Sequence, residues 1–221
     1  KDADGALKGV ILDVRNNPGG VLQAAVDTVD AVLDEGLVVY TEGRVQSSRL
    51  RFNATEGDML ANTPMVVLIN GGSASASEIV AGALQDHRRA VVMGTQSFGK
   101  GSVQTVIPLD ETHAIKMTTA RYYTPDGRSI QATGIKPDIE VKPAELKELD
   151  SQPMSTEADL SGHLEGKNEA ENRKNKAQKV RDSAKESAEA MLDRDYQLRS
   201  ALNLLKGLNI ISRAGTSSSQ Q

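Results

Sequence analysis

The apolar positions divide the chain into a patterned N-terminal part and a polar C-terminal part. Up to about Val141, short runs rich in Val, Ile and Leu recur between segments that contain Gly, Pro or Asn. Runs of this length and composition predict buried β-strands. The predicted strands are Gly9–Val14, Leu37–Tyr40, Met65–Ile69 and Ala90–Met93.

Two segments between these strands have the periodicity of helices. In Leu22–Glu35 the apolar residues recur on one helical face, and Gly36 follows as a stop signal. Ile79–Leu84 also fits a helix, which we expect to end near Asp86. Arg44–Phe52 could form an exposed hairpin that covers the sheet or lines a substrate groove. The alternating strands Ser102–Pro108 and Ala114–Tyr123 complete the pattern of an α/β domain over residues 1–141.

The remaining sequence predicts a linker, a helical segment and a tail. Residues 142–166 are rich in Glu, Ser and Pro, and residues 212–221 have the composition of a disordered tail. Apolar residues recur at spacings of three and four within 167–211, interrupted at Asp195. The helix could pack on its own domain, but we favour an oligomerisation role. The interface would then use Leu198, Leu202, Leu205 and Leu208.

Composition narrows the classes of function. The net charge of −4 and the isoelectric point near 5.5 give no indication that nucleic acid is the main partner. Cysteine is absent, which excludes disulfides, thiol catalysis and thiolate metal sites. We predict no metal and no cofactor. No apolar run approaches the ~20 residues of a membrane-spanning helix. Because Lys1 is not a natural start, we expect a fragment whose export signal lies upstream.

The stretch Asn70–Glu78 is the first candidate for chemistry. It lies between a predicted buried strand and a predicted helix, so a strand, a glycine turn and a helix N-terminus follow in order. Free backbone N–H groups and the positive end of the helix dipole favour negative charge there. A serine at that position could act as a nucleophile beside an oxyanion site. Helix capping is the more common role for any one of Ser73, Ser75 and Ser77.

A serine hydroxyl needs a base, and the three histidines are poor candidates. His87 lies at a charged helix end, His113 in a predicted hairpin turn and His163 in the linker. Because none lies beside a glycine-rich turn, a Ser-His-Asp triad has little support, although sequence position alone does not exclude one.

A lysine is the alternative base, provided that its amine is neutral. Lys100 is the candidate, because Gly99 and Gly101 flank it and a predicted strand follows. Gln104, four residues later, could hydrogen-bond the amine and orient it. A solvated surface lysine is the more common reading of such a loop residue.

The combination of these motifs resembles the C-terminal processing (tail-specific) peptidases of the S41 family. The resemblance is carried by Gly72–Ile79 together with Phe98–Gln104, and it extends to Leu12–Gly20 and Gly134–Asp138. It covers about Val10 to Val141 and is highly specific. It implies a crotonase-like serine-protease core with a mixed sheet, followed by a linker and a C-terminal α-helical segment.

The resemblance also implies a role for each matching residue. Ser75, the middle serine of its run, would be the nucleophile, and Lys100, 25 residues later, the base. Gln104 would position the lysine. The oxyanion donors would be the amide of Ala76 and that of Gly19 or Gly20. The implied activity is a serine endopeptidase that cleaves proteins at or near their C-termini through an acyl-enzyme.

One departure from the family pattern concerns the flanking domain. The family usually carries a PDZ domain before this point, and none is present, so we expect a core domain lacking its N-terminal part. The family also implies export to the bacterial periplasm, and an adaptor protein is a possible partner. Two rivals remain open: a crotonase-type hydratase or acyl-transferring enzyme, and a non-catalytic binding or scaffold domain organised by the C-terminal helix.

Overall fold

The computed structural model describes residues 7–145, 192 and 194–217, with side chains described as far as residue 211. By contacts the chain divides into two units, residues 1–143 with 197–221, and residues 144–196, most of which lie outside the described part. The described strands are β1 Val10–Asp13, β2 Gly36–Gly43, β3 Arg51–Ala54, β4 Met65–Ile69, β5 Val91–Gly94, β6 Ser102–Pro108, β7 Ala114–Tyr123 and β8 Ile139–Glu140. The helices are α1 Leu22–Asp30, α2 Ala76–Asp86 and α3 Tyr196–Ser217, with a 3₁₀ turn at Gln46–Ser48.

A parallel four-stranded sheet in the order β1-β4-β5-β8 forms the centre of the first unit. Every residue of β4 is buried, because helices cover both faces of this strand. Met65, Val67 and Ile69 face the core shared with α1 and α2, whereas Val66 and Leu68 face the core shared with α3. The strand therefore has no polar alternation in its sequence.

A second sheet is antiparallel, in the order β3-β2-β7-β6. It begins with the hairpin between β2 and β3, close to the one predicted around Arg44–Phe52, and it ends at β6. The prediction of a mixed α/β fold with parallel and antiparallel pairing is thus confirmed, with the two kinds of pairing on separate sheets.

Helix α3 packs within its own unit. Ala201 is completely buried and Leu205 is 5% exposed, and both contact the face of the parallel sheet that carries Val66 and Leu68. The assignment of Leu205 to a subunit interface was therefore wrong. The helix begins after Asp195, where the sequence pattern is interrupted, and residues 167–191 of the predicted helix lie outside the described residues.

Two element predictions need correction. Helix α1 ends at Asp30 and not at Glu35, because the carbonyl oxygens of Ala31 and Val32 accept from the Met59 amide and the Arg89 guanidinium instead of continuing the helix. Strand β1 is half-buried rather than buried on both faces, because it is the outer strand of the parallel sheet among the described residues.

Within the described part of the chain, none of the helices combines the length and the apolar character that crossing a membrane requires.

A buried ion pair fixes the loop between β3 and β4. The Arg89 guanidinium lies 3.1 Å from Asp58 Oδ2 and also donates to the carbonyl oxygens of Val32 and Thr63. Asp58 in turn accepts from the amides of Leu60 and Asn62. Burial raises the pKa of the Asp58 carboxyl, but these amides and Arg89 lower it by more, so the pKa lies below its ordinary value of 3.8.

We predict that Asp58→Ala lowers the free energy of unfolding by about 3 kcal/mol at neutral pH, because it leaves a buried guanidinium without its partner. The lowered pKa means that the Asp58 contribution is present above about pH 4 and is lost as the pH falls through the folded-state value. Urea denaturation of both proteins across pH measures the difference. A difference that stays constant below pH 4 would contradict the role of the charge.

Candidate active site

Ser75 occupies the sharp turn between β4 and α2. The amide of Ser73 donates to the carbonyl of Asn70 at 2.8 Å, which closes the turn, and α2 begins directly after Ser75. The Ser75 backbone has φ 57° and ψ −115°, a conformation that non-glycine residues rarely adopt. Strained strand-to-helix turns of this kind hold the nucleophile of many hydrolases at the tip of the turn.

The neighbouring serines have structural partners. Ser73 is completely buried, and its hydroxyl donates to the carbonyl oxygen of Val14 at 2.7 Å. Ser77 is 2% exposed and donates to the carbonyl oxygen of Asn17 at 3.1 Å. The two hydroxyls tie the turn before α2 and the first residues of α2 to the loop after β1, whereas Ser75 is only half-buried. Ser75 is therefore the serine of this run best placed to meet a substrate.

The glycine turn after β1 lies directly against the nucleophile turn. Gly19 has φ +93°, and a Cβ there would meet the Ala74 carbonyl oxygen at 2.5 Å and the Ala76 nitrogen at 2.8 Å, so only glycine fits. Its amide donates to Asn17 Oδ1 at 3.0 Å. The amides of Gly20 and Ala76 have no acceptor among the described residues.

Lys100 is brought to the same place by the carboxylate of Glu78. The backbone amides of Ser75 and Lys100 both donate to Glu78 Oε2, each at 2.8 Å. One oxygen atom thus joins the start of α2 to the loop after β5, and the two predicted residues become neighbours. The Lys100 side chain forms no hydrogen bond or ion pair with the described residues.

A second segment supports the lysine loop from outside. The hydroxyl of Ser97 accepts from the amide of Ile135 at 2.6 Å, and the carbonyl oxygen of Gly99 accepts from the amide of Ala132 at 2.9 Å. At Gly101 a Cβ would meet the nitrogen of Gln131 at 2.4 Å, so the segment before Gly134–Asp138 approaches as closely as glycine permits.

Gln104 is not brought to the lysine amine. It lies exposed on β6, next to an irregularity in the pairing with β7, and its side chain makes no hydrogen bond with the described residues. The predicted positioning of Lys100 by Gln104 therefore has no contact in this structure.

The two described histidines make no contact with Ser75. His87 caps the opposite end of the 11-residue helix α2, about 16 Å along its axis, and a ring nitrogen contacts the Leu37 carbonyl oxygen. His113 is in the exposed turn between β6 and β7, bonded to Asp110. His163 lies outside the described residues. In the described ranges, no His, Cys, Asp or Glu residues cluster as a metal site would require.

A cavity of about 260 Å³ opens beside the predicted oxyanion amides. It lies between the loop after β1, helix α1 and the start of α2. Its wall is mostly apolar and includes Val14, Gly19, Val21, Ala24, Ala76 and Val80.

Comparison with known proteins decides the family. The model of peptidase family S41 matches residues 2–141 of this chain. The chain belongs to peptidase family S41.

Relatives agree with this assignment. A carboxy-terminal-processing protease of Bartonella bacilliformis is 52% identical over 202 residues, which cover 91% of this chain and 45% of the relative. A carboxyl-terminal-processing protease of Synechocystis is 43% identical over 153 residues, which cover 69% of this chain and 33% of the relative. Among solved structures, a photosystem II D1 C-terminal processing protease matches with a TM-score of 0.57 and 38% identity, covering 62% of this chain and 35% of that one. The S41 chain described here thus spans less than half the length of these relatives.

The site contains two residues that the sequence reasoning did not select, Glu78 and Ser97. The spacing Ser75-x-x-Glu78 is a sequence signal, but it indicates a capping box at the start of a helix. It gives no sign that the carboxylate also reaches a loop some 20 residues later.

Proposed function

We propose that this S41 chain is the catalytic core of a serine endopeptidase that cleaves proteins at or near their C-termini. The observation that carries the proposal is the shared contact of the Ser75 and Lys100 amides with Glu78 Oε2. It supports a Ser-Lys dyad, because it joins the strained serine turn to the loop that bears the lysine.

In the proposed mechanism Ser75 Oγ attacks the peptide carbonyl carbon, and the neutral amine of Lys100 takes the hydroxyl proton. Collapse of the tetrahedral intermediate breaks the C–N bond, and Lys100 gives the proton to the leaving amine. Water then attacks the acyl-enzyme in the same manner and releases the new C-terminal carboxylate. The family resemblance gives Gln104 the role of orienting Lys100, although the two side chains share no hydrogen bond in this structure.

Negative charge on the intermediate needs donors beside Ser75. The Ala76 amide at the start of α2 and a glycine amide after β1 are the proposed donors, aided by the positive end of the helix dipole. In this conformation Gly20 is the better candidate for the glycine donor to the oxyanion, because the Gly19 amide already donates to Asn17. A turn of Asn17 would free Gly19 for the same role.

A crotonase-type hydratase or acyl-transferring enzyme would also use paired amides, but it would need neither the strained serine nor the lysine. A scaffold domain would need none of these features. Labelling of Ser75 by a fluorophosphonate separates the three possibilities, since only an activated serine reacts.

We expect Ser75→Ala and Lys100→Arg each to abolish casein cleavage by the full-length protein. The first variant lacks the nucleophile, and the guanidinium of the second cannot act as a base near neutral pH. A Ser75→Ala/Lys100→Ala double variant should be no worse than either single alanine variant, because the dyad acts as one unit.

The matched controls are Ser73→Ala and Ser77→Ala, which should keep activity while each lowers the free energy of unfolding by about 1 kcal/mol, because each removes a hydrogen bond to the loop after β1. Normal cleavage by Ser75→Ala would refute the assignment of the nucleophile, and an active Lys100→Arg protein would refute a lysine base.

The cavity beside the oxyanion amides supports a preference for small apolar side chains on the substrate residue before the scissile bond. That residue would enter between α1 and α2, where Val14, Ala24 and Val80 form the wall. The volume of about 260 Å³ and the lack of a charged lining residue disfavour long charged side chains.

We predict that Ala24→Phe lowers kcat/KM at least tenfold for substrates with Val or Leu at that position and less for those with Ala, because the ring fills the cavity. Gln23→Phe, one residue earlier on α1 and outside the cavity, is the matched control. Peptide libraries that vary this position measure the effect. Equal losses for all substrates would show that the cavity does not bind this side chain.

We also propose that the protein forms homo-oligomers, acts in the bacterial periplasm and can use an adaptor protein. For oligomerisation the support is the part of α3 that its own unit leaves uncovered: Ile210 and Ile211 are each 71% exposed. The periplasm and the adaptor rest on the family resemblance, and fractionation by osmotic shock tests the compartment.

We expect the Ile210→Asp/Ile211→Asp variant to have a lower assembly mass by light scattering, because it places charge in an apolar contact. Leu205 stays in place, so the fold should be kept. An unchanged mass would remove this face of α3 from the interface.

A further inference from the structure

We propose that Glu78 is a positioning residue that holds the nucleophile turn and the base loop at a working distance. The inference rests on the proposed Ser-Lys dyad and adds a residue to it. Glu78 is completely buried, and burying a carboxylate is unfavourable unless the group is hydrogen-bonded.

The carboxylate uses its two oxygens for different purposes. Oε2 accepts from the amides of Ser75 and Lys100, each at 2.8 Å. Oε1 accepts from the Ser97 hydroxyl at 2.5 Å and from the Gly99 amide at 2.6 Å. Four donors and no acceptor surround the group, which matches an ionised carboxylate.

A capping box explains only one of these contacts. In that motif the glutamate three residues into the helix accepts from the N-cap amide, here Ser75. The other three donors belong to the loop 97–100, which follows another strand. Glu78 therefore does more than begin a helix: it sets where Lys100 lies relative to Ser75.

This geometry gives the group a kinetic role through Lys100. Proton transfer between serine, lysine and leaving amine depends on distance, and a displacement of about 1 Å can cost about 10²-fold in rate. Glu78 touches neither substrate nor the reacting atoms, so its effect passes through the two backbone segments that it joins.

The test is Glu78→Gln in the full-length protein. The amide keeps one acceptor oxygen but replaces the other with a donor. That donor would face two N–H groups at the Oε2 position, or the Gly99 N–H and the Ser97 hydroxyl at the Oε1 position. We expect kcat for a peptide to fall about 10²-fold with KM little changed, because the cavity is untouched.

Comparison of peptide cleavage with cleavage of an activated aryl ester separates positioning from a purely structural role, because a purely structural role would leave the ratio of the two rates unchanged. The leaving group of the ester departs without a proton, so ester cleavage depends less on the position of the lysine. We expect the peptide-to-ester rate ratio to fall about tenfold in Glu78→Gln. In a Lys100→Ala background the substitution should have little further effect on the ester rate, because the residue acts through Lys100.

The matched control is Gln85→Ala at the other end of the same helix. Gln85 bonds to the Lys136 carbonyl oxygen, to Asp138 and to Arg128, so its loss also weakens the tertiary contacts of α2. We expect lower stability with an unchanged peptide-to-ester ratio. Glu78→Asp, whose shorter side chain cannot span both segments, should show the same shift of the ratio in a milder form and serves if Glu78→Gln does not fold.

The outcomes separate this inference from the proposed function. An unchanged ratio in folded Glu78→Gln, with Lys100→Ala inactive, would overturn the role of Glu78 alone. Full peptide cleavage by Lys100→Ala would overturn the dyad itself. Failure of both Glu78 variants to fold would assign the carboxylate a purely structural role and would also overturn the inference.

Discussion

The arrangement of the site depends on one buried negative charge. Removing a carboxylate from water costs several kcal/mol unless donors replace the lost hydration. The chain provides these donors around Glu78 from two turns that follow two neighbouring parallel strands, β4 and β5. The hydrogen bonds that stabilise the buried charge are therefore the same ones that bring the Ser75 turn beside the Lys100 loop. Because three of the four donors are backbone amides, the arrangement depends mainly on the path of the chain.

The parallel sheet makes this meeting possible. The carboxyl ends of adjacent parallel strands lie at one edge, and the turns after β1, β4 and β5 all begin there. Burial on both faces holds the strands: α1 and α2 cover one face, and α3 covers part of the other through Ala201 and Leu205. Helix α3 thus supports, from the opposite face, the same sheet that carries the site, although it is more than 90 residues away along the chain.

Glycine determines how closely these turns can approach one another and the segment around Gln131. Gly19 fits against the backbone of Ala74 and Ala76, and Gly101 fits against Gln131, at distances that exclude any Cβ. These positions explain why the glycines of the Pro18-Gly19-Gly20 and Gly99-Lys100-Gly101 motifs stand where they do. Each glycine lacks the side chain that would hold two backbone segments apart. The amides of one turn can therefore lie beside the neighbouring turn.

Much of the fold could be predicted from the chain alone, since β4, β6 and β7 have local patterns that match their observed bounds. The helix start at Leu22 was also local, because periodicity acts over a few residues, whereas α2 begins at Ala76, three residues before the predicted Ile79. The end of α1 was not local, since the carbonyl oxygens of Ala31 and Val32 bond to the distant residues Met59 and Arg89. The packing of Leu205 was not local either, since an apolar helix face does not specify its partner. The sequence by itself determined the family, through motifs whose spacing is specific. Only the tertiary structure decided which serine hydroxyl is not tied to the loop after β1 and which carboxylate joins the turn of that serine to the lysine loop, because both depend on turns that are distant in sequence and adjacent only after folding.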